Sequence, residues 1–123
     1  MNIMIIGSGI KIQFITRTLL SKGHKVTIIN NDKRECIKLS KISKAIVIFG
    51  LGTMPDILED SGIRTMDKVL AITDKDEDNF VICQIATKIY GVPSTFAVVN
   101  DPENEKLFHE AGITTTFSVS ATI

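Results

Sequence analysis

Gly7-Ser8-Gly9-Ile10-Lys11-Ile12 follows an apolar run, Asn2 to Ile6, and opens an amphipathic stretch from Ile10 to Leu20. A glycine-rich turn between a strand and a helix is the setting in which a backbone receives a phosphate. Gly7 permits the tight turn. Gly9 lets a pyrophosphate approach the main chain, where helix N–H groups and the helix dipole favour anions. Ser8, Ile10 and Lys11 complete the loop, and Lys11 adds a cation. The third glycine of the G-x-G-x-x-G pattern is replaced by Ile12, whose branched side chain is expected to hold the helix slightly away from the sheet. The same residues also suit a tight turn that holds no ligand.

A second set of polar residues stands about 20 positions on, where a carboxylate would bind ribose hydroxyls. Here the apolar run ends Ile29-Asn30-Asn31-Asp32. Asn30 sits at the tip, and its amide offers an uncharged and weaker acceptor. Lys33 and Arg34 suit either a 2′-phosphate or a solvated turn, and Asp32 is placed to cap the next helix. Asp74, Asp76, Glu77 and Asp78 form an acidic cluster fit for a divalent cation or for a helix N-terminus. Catalytic residues are scarce. His24 precedes the second strand at the wrong end of the sheet, His109 lies on the last helix, and Tyr90 has no lysine four residues on. Cys36 and Cys83 lie far apart, outside any C-x-x-C or Cys/His cluster, and read as two reduced thiols.

The elements that position these residues follow from periodicity. Strands are expected at Asn2–Ile6, Lys25–Ile29, Ala45–Phe49, Lys68–Ile72, Thr95–Val99 and Thr115–Val119. Helices are expected at Ile10–Leu20, from Asp32 to about Ile42, Pro55–Asp60, Asp76–Tyr90 and Pro102–Ala111. Strands that are apolar throughout and alternate with helices imply a parallel sheet covered on both faces. The fold class is therefore α/β: a Rossmann-type doubly wound sheet of about six strands, in one domain spanning residues 1–123. Fourteen basic residues balance fourteen acidic ones, with no basic block, which argues against nucleic-acid binding. The first apolar run is too short to span a bilayer, so a cytoplasmic protein is expected, with docking at the inner face of a membrane left open. The chain stops just after the last strand, so a longer parent protein or a partner subunit is also expected.

Five segments in order carry a resemblance: IIGSGI, GHKVTIIN, GLGTMPDILEDSGI, KVLAITDKDEDN and VVNDPENEKLFHEAGI. The chain resembles, over residues 1 to 119, the N-terminal domain of RCK/KTN proteins, the TrkA-type nucleotide-binding regulators of potassium channels and transporters. The resemblance implies a cytosolic, non-enzymatic domain that binds NAD(H) or an adenine nucleotide (ATP, ADP or AMP). It further implies a dimer or ring acting on a membrane potassium channel or transporter subunit. By position, the ligand would lie over Gly7, Ser8 and Gly9, with Ile10 and Lys11 beside it and Asn30 and Asn31 at the ribose. Gly52 and Thr53 would flank the adenine, Thr73 and Asp74 would close the cleft, and Asn100 would lie nearby. The chain departs from the family at six positions. The family usually has glycine at Ile12, aspartate at Asn30 and a basic residue at Ile10. It often has another basic residue at Val98, aspartate at Leu51 and glutamate at Ser120. Lys11 is the candidate replacement for the lost cation.

Val81, Ile82, Cys83, Ile85, Ala86, Ile89 and Tyr90 cover an arc of roughly 200° on their helix. One covered face needs about half of that. The surplus points to a second subunit packed on the Asp78–Tyr90 helix, or to a more deeply buried core helix. Two further readings stay open: an NAD(P)-binding fragment of an oxidoreductase, and a structural ring subunit with an empty cleft.

Overall fold

Alternation along the central strands sets the layers. In Asn2–Gly7 (β1), Ile3 and Ile5 face one way and Met4 and Ile6 the other, and all four are buried. Both faces must then be covered by helices. The computed structural model describes residues 1–42, 44–113 and 115–118.

The chain runs β1, α1 (Ile10–Ser21), β2 (Lys25–Asn30), α2 (Lys33–Ser40), β3 (Ile46–Phe49), α3 (Pro55–Asp60), β4 (Lys68–Ile72) and α4 (Asp76–Gln84). A wider π-helical segment, Ile85–Ile89, extends α4. Then come β5 (Ser94–Val99), α5 (Glu105–Glu110) and β6 (Thr116–Ser118). Val119, the expected end of β6, lies outside the described residues, as does Ser120. The sheet order is β3-β2-β1-β4-β5-β6, with every pair parallel. The doubly wound expectation is therefore met, and the order switches direction between β1 and β4. That switch opens a crevice at the carboxyl ends of the strands.

Ile3, Ile5, Val26, Ile28 and Ile72 pack under α1 and α2 with Ile12, Leu39 and Ile42. Met4, Ile6, Ile29, Val69, Ala71, Ala97 and Val99 pack under α3 and α4 with Leu58, Ile82, Cys83 and Phe108. Phe108 of α5 meets Phe80 of α4 edge-on, with ring centroids 5.3 Å apart. The broad apolar arc of α4 is thus largely spent inside the chain: Ile82, Cys83, Ile85 and Ala86 are buried. Only Val81 and Ile89 remain as exposed apolar residues on this helix, at 40% and 59%. The surplus expected for a second subunit shrinks to these two residues, because the sheet and α5 cover the helix more fully than one flat face would.

Close approach of β1 to β4 is what glycine provides at the end of β1. A Cβ on Gly7 would stand 2.2 Å from the Ile72 carbonyl oxygen and 3.2 Å from Ile12 Cδ1. Ile12 fills that bare flank and is fully buried. Its bulk lies against Gly7, in the core under α1, and not across the crevice. Gly7→Ala is expected to lower stability by about 2–3 kcal/mol through overpacking, while Ser8→Ala, at an exposed position, stays within about 0.5 kcal/mol of the parent. Thermal or urea unfolding of the two variants checks this.

Candidate functional site

The crevice at the switch is lined at its floor by Ile6, Gly7, Ile29 and Ile82, and at its mouth by Ser8, Asn30 and Asn31. The β3–α3 loop contributes Gly50, Leu51, Gly52 and Thr53, and the β4–α4 loop Thr73, Asp74, Lys75 and Asp78. It is an open crevice of about 530 Å³, solvent at its mouth included. Gly52 can lie on the floor because it lacks a side chain; a Cβ there would stand 2.2 Å from Ile6 Cγ2. Leu51 is half exposed and lines the cleft at its rim.

Eight of the twelve residues expected at a ligand are therefore brought together: Gly7, Ser8, Asn30, Asn31, Gly52, Thr53, Thr73 and Asp74. Gly9, Ile10, Lys11 and Asn100 do not line the cleft, and each has a local reason. Gly9, at φ +101°, is the N-cap of α1, and its N–H donates to Glu35 Oε1 at 2.5 Å. The expected free amide is thus already engaged by a carboxylate of the same chain. Ile10 points to solvent, 77% exposed, and Lys11 is also exposed. Asn100 is held at the next corner of the sheet. Its N–H and its Nδ2 both donate to Asp76 Oδ1, at 2.6 and 3.0 Å, and Nδ2 also donates to the Thr73 carbonyl.

Asn30 is at the strand tip as expected, but its amide serves the protein. Nδ2 donates to the Gly7 carbonyl at 2.9 Å and to Glu35 Oε1 at 3.1 Å, and Oδ1 accepts from the Asp32 N–H at 2.7 Å. Asn30 is buried. Asp32 caps α2, accepting from the N–H groups of Arg34 and Glu35. Lys33 lies over the Phe49 ring, 5.8 Å from its centroid, and neither Lys33 nor Arg34 lines the cleft.

The acidic cluster divides its duties. Asp76 turns away from the cleft and gathers four bonds, from Asn100 twice, from the Asp101 N–H and from Asn104 Nδ2. Burial pushes its carboxyl up, but these hydrogen bonds outweigh it and leave the group below the usual aspartate value. Asp74 and Asp78 stay at the cleft, beside Lys75. Among the described residues no group of three metal-ligating side chains converges. Burial pushes the Cys83 thiol up to about 12, so it stays a neutral core residue. Burial, together with Glu35 and Asp32, also raises Cys36.

Two residues of the site were not singled out from sequence. Asn79, fully buried, accepts from the Thr73 N–H and hydroxyl and donates to the carbonyls of Thr73 and Val98. It ties the tip of β4 to β5 and so fixes the cleft wall. An asparagine one turn into an otherwise charged helix start was the available signal. Glu35 carried none, since its partner Gly9 is 26 residues away.

A family model of the TrkA-N domain matches residues 3–119. The chain is 34% identical over 113 residues to the Trk system potassium uptake protein TrkA homolog of Methanothermobacter thermautotrophicus, covering 92% of this chain and 52% of that one. It is 28% identical over 117 residues to Trk system potassium uptake protein TrkA of Vibrio alginolyticus, covering 92% and 26%. The chain thus spans about half or a quarter of the length of these relatives. In fold it is similar to a GsuK channel structure bound to NAD, with TM-score 0.80, 23% identity and coverage of 94% and 21%. It is also similar to the AMP-bound Kef C-terminal domain of Shewanella denitrificans, with TM-score 0.85, 20% identity and coverage of 98% and 73%.

The low carboxyl of Asp76 gives a pH signature. A group held below its unfolded value contributes stability that is fully present above that value and is lost as pH falls through the folded value. Asp76→Ala is expected to cost about 2–3 kcal/mol near neutral pH, by stranding charge-assisted donors. The gap to the parent narrows as pH drops below about 3.8. Urea unfolding of both proteins between neutral and acid pH measures it.

Proposed function

The chain belongs to the TrkA-N domain family, and from that premise we propose that it is a non-catalytic, nucleotide-sensing part of a potassium uptake or channel system. The observation that carries this reading is the cleft at the β1/β4 switch, walled by the β1, β2, β3 and β4 loops. This is where open α/β sheets take nucleotides. The relatives bear the name of a potassium uptake system, and two of the fold neighbours hold NAD or AMP. No helix among the described residues is long and apolar enough to cross a membrane.

Electrostatics narrows the ligand. Asp74 and Asp78 line the cleft with Lys75 as the single cation among its lining residues, and Glu35 stands behind the loop at Gly9. A net negative wall repels a polyphosphate and tolerates a ligand rich in hydroxyls. The proposed occupant is therefore AMP or NAD(H) in preference to ATP. Thr53 and Gly52 would flank the adenine, and Asn31, Thr73 and Asp74 would face the ribose.

For the oxidoreductase reading, the titratable side chains lining the cleft are those of Asp74, Lys75 and Asp78. No His, Tyr or Cys is among the lining residues. His24 contacts the Met1 amino group beyond the start of β2, and His109 contacts Thr116. Self-association through the Asp78–Tyr90 helix would rest on Val81 and Ile89.

Isothermal titration with AMP, ADP, ATP, NAD and NADH tests the reading. AMP or NAD is expected to bind, with ATP weaker by about tenfold, and the double variant Asp74→Asn/Asp78→Asn to narrow that gap. Absence of binding by every ligand up to about 1 mM would defeat it.

A further inference from the structure

The corner formed by Gly9, Asn30 and Glu35 goes beyond choice of nucleotide. One oxygen, Glu35 Oε1, accepts from the Gly9 N–H and from Asn30 Nδ2 at 3.1 Å. The Gly9 amide is at the N-cap of a 12-residue helix, where an anion gains from the dipole. Glu35 reaches it from the first turn of α2, which Asp32 holds in place by capping. Asn30 is itself clamped by Gly7 and Asp32 and cannot turn away. Its amide identity matters: a carboxylate at position 30 would set two anions about 3.1 Å apart.

We propose that Glu35 is a resident anion of the phosphate loop, whose carboxylate competes with a ligand's phosphate for the Gly9 amide. This rests on the nucleotide reading above and specifies its regulation. A phosphorylated ligand gains the amide only by displacing Glu35, whereas an unphosphorylated nucleoside enters the cleft without doing so. Glu35 is then a specificity-determining residue that suppresses affinity in proportion to phosphate character. Its displacement would also release Asn30 Nδ2 and loosen the β2–α2 corner, linking occupancy of the cleft to the position of α2.

The test compares the parent with Glu35→Ala and Glu35→Gln by isothermal titration with ADP and adenosine, and follows the Gly9 amide by ¹⁵N–¹H NMR with pyrophosphate as the probe. In Glu35→Ala, ADP is expected to bind about tenfold tighter or more, the scale of one charged hydrogen bond. Adenosine affinity should stay within about twofold, and Glu35→Gln should fall between parent and Ala variant for ADP. Pyrophosphate should shift the Gly9 amide in Glu35→Ala more strongly than in the parent. Unchanged or weaker ADP binding in Glu35→Ala, with the parent binding nucleotide, overturns the proposal and leaves the nucleotide reading standing. If no form of the protein binds any nucleotide, that reading falls, and pyrophosphate alone decides: a Gly9 shift confined to Glu35→Ala upholds the competition, and no shift overturns it.

Discussion

A parallel sheet buried on both faces leaves its polar groups only one place to go, the strand ends. β1 and β2 are closed off by helices above and below, so between their end residues every side chain is apolar or, at Thr27, small. At the carboxyl tips that rule is released, and the chain places Gly7, Asn30, Gly50, Thr73 and Asn100 there in turn. The main-chain groups left over at those tips must still be paired. Asn30 takes the Gly7 carbonyl, the Gly50 N–H takes the Asn30 carbonyl, and Asn79 and Asn100 take the Thr73 carbonyl. The cleft is what remains between these stitched corners.

The two corners differ in chemistry. On the β4–β5 side, Asp76 collects donors from Asn100, Asp101 and Asn104, and the carboxylate is fully used in holding the wall. On the β1–β2 side, Glu35 engages a single backbone amide and one side-chain amide. The first arrangement is a structural post. The second sets a carboxylate on the amide at the N-cap of α1. The β4–β5 corner therefore spends its carboxylate on four donors, and the β1–β2 corner spends its own on two.

The loss of the third loop glycine has a compensating geometry. Ile12 occupies the flank that Gly7 leaves bare, so helix and strand still meet in tight packing. The branched side chain joins the core under α1 in place of intruding on the crevice. The Gly9 amide that follows in the loop is paired within the chain, to Glu35.

Periodicity and turn chemistry determined much of this protein directly. Alternating apolar runs and amphipathic stretches set the element order, and the glycine turn and Asn30 marked one side of the cleft, because local spacing dictates which residues end a strand; the other side, at Gly52, Thr53, Thr73 and Asp74, came from the family resemblance. Asp32 as a cap was equally local. Tertiary structure alone decided who meets whom across the sheet. Glu35 finds Gly9 from 26 residues away, Asn100 swings to Asp76 from 24, and α4 buries its wide apolar arc against β4, β5 and α5. Those pairings depend on strand order and helix placement, which are set by packing over the whole domain and leave no periodic trace along the chain.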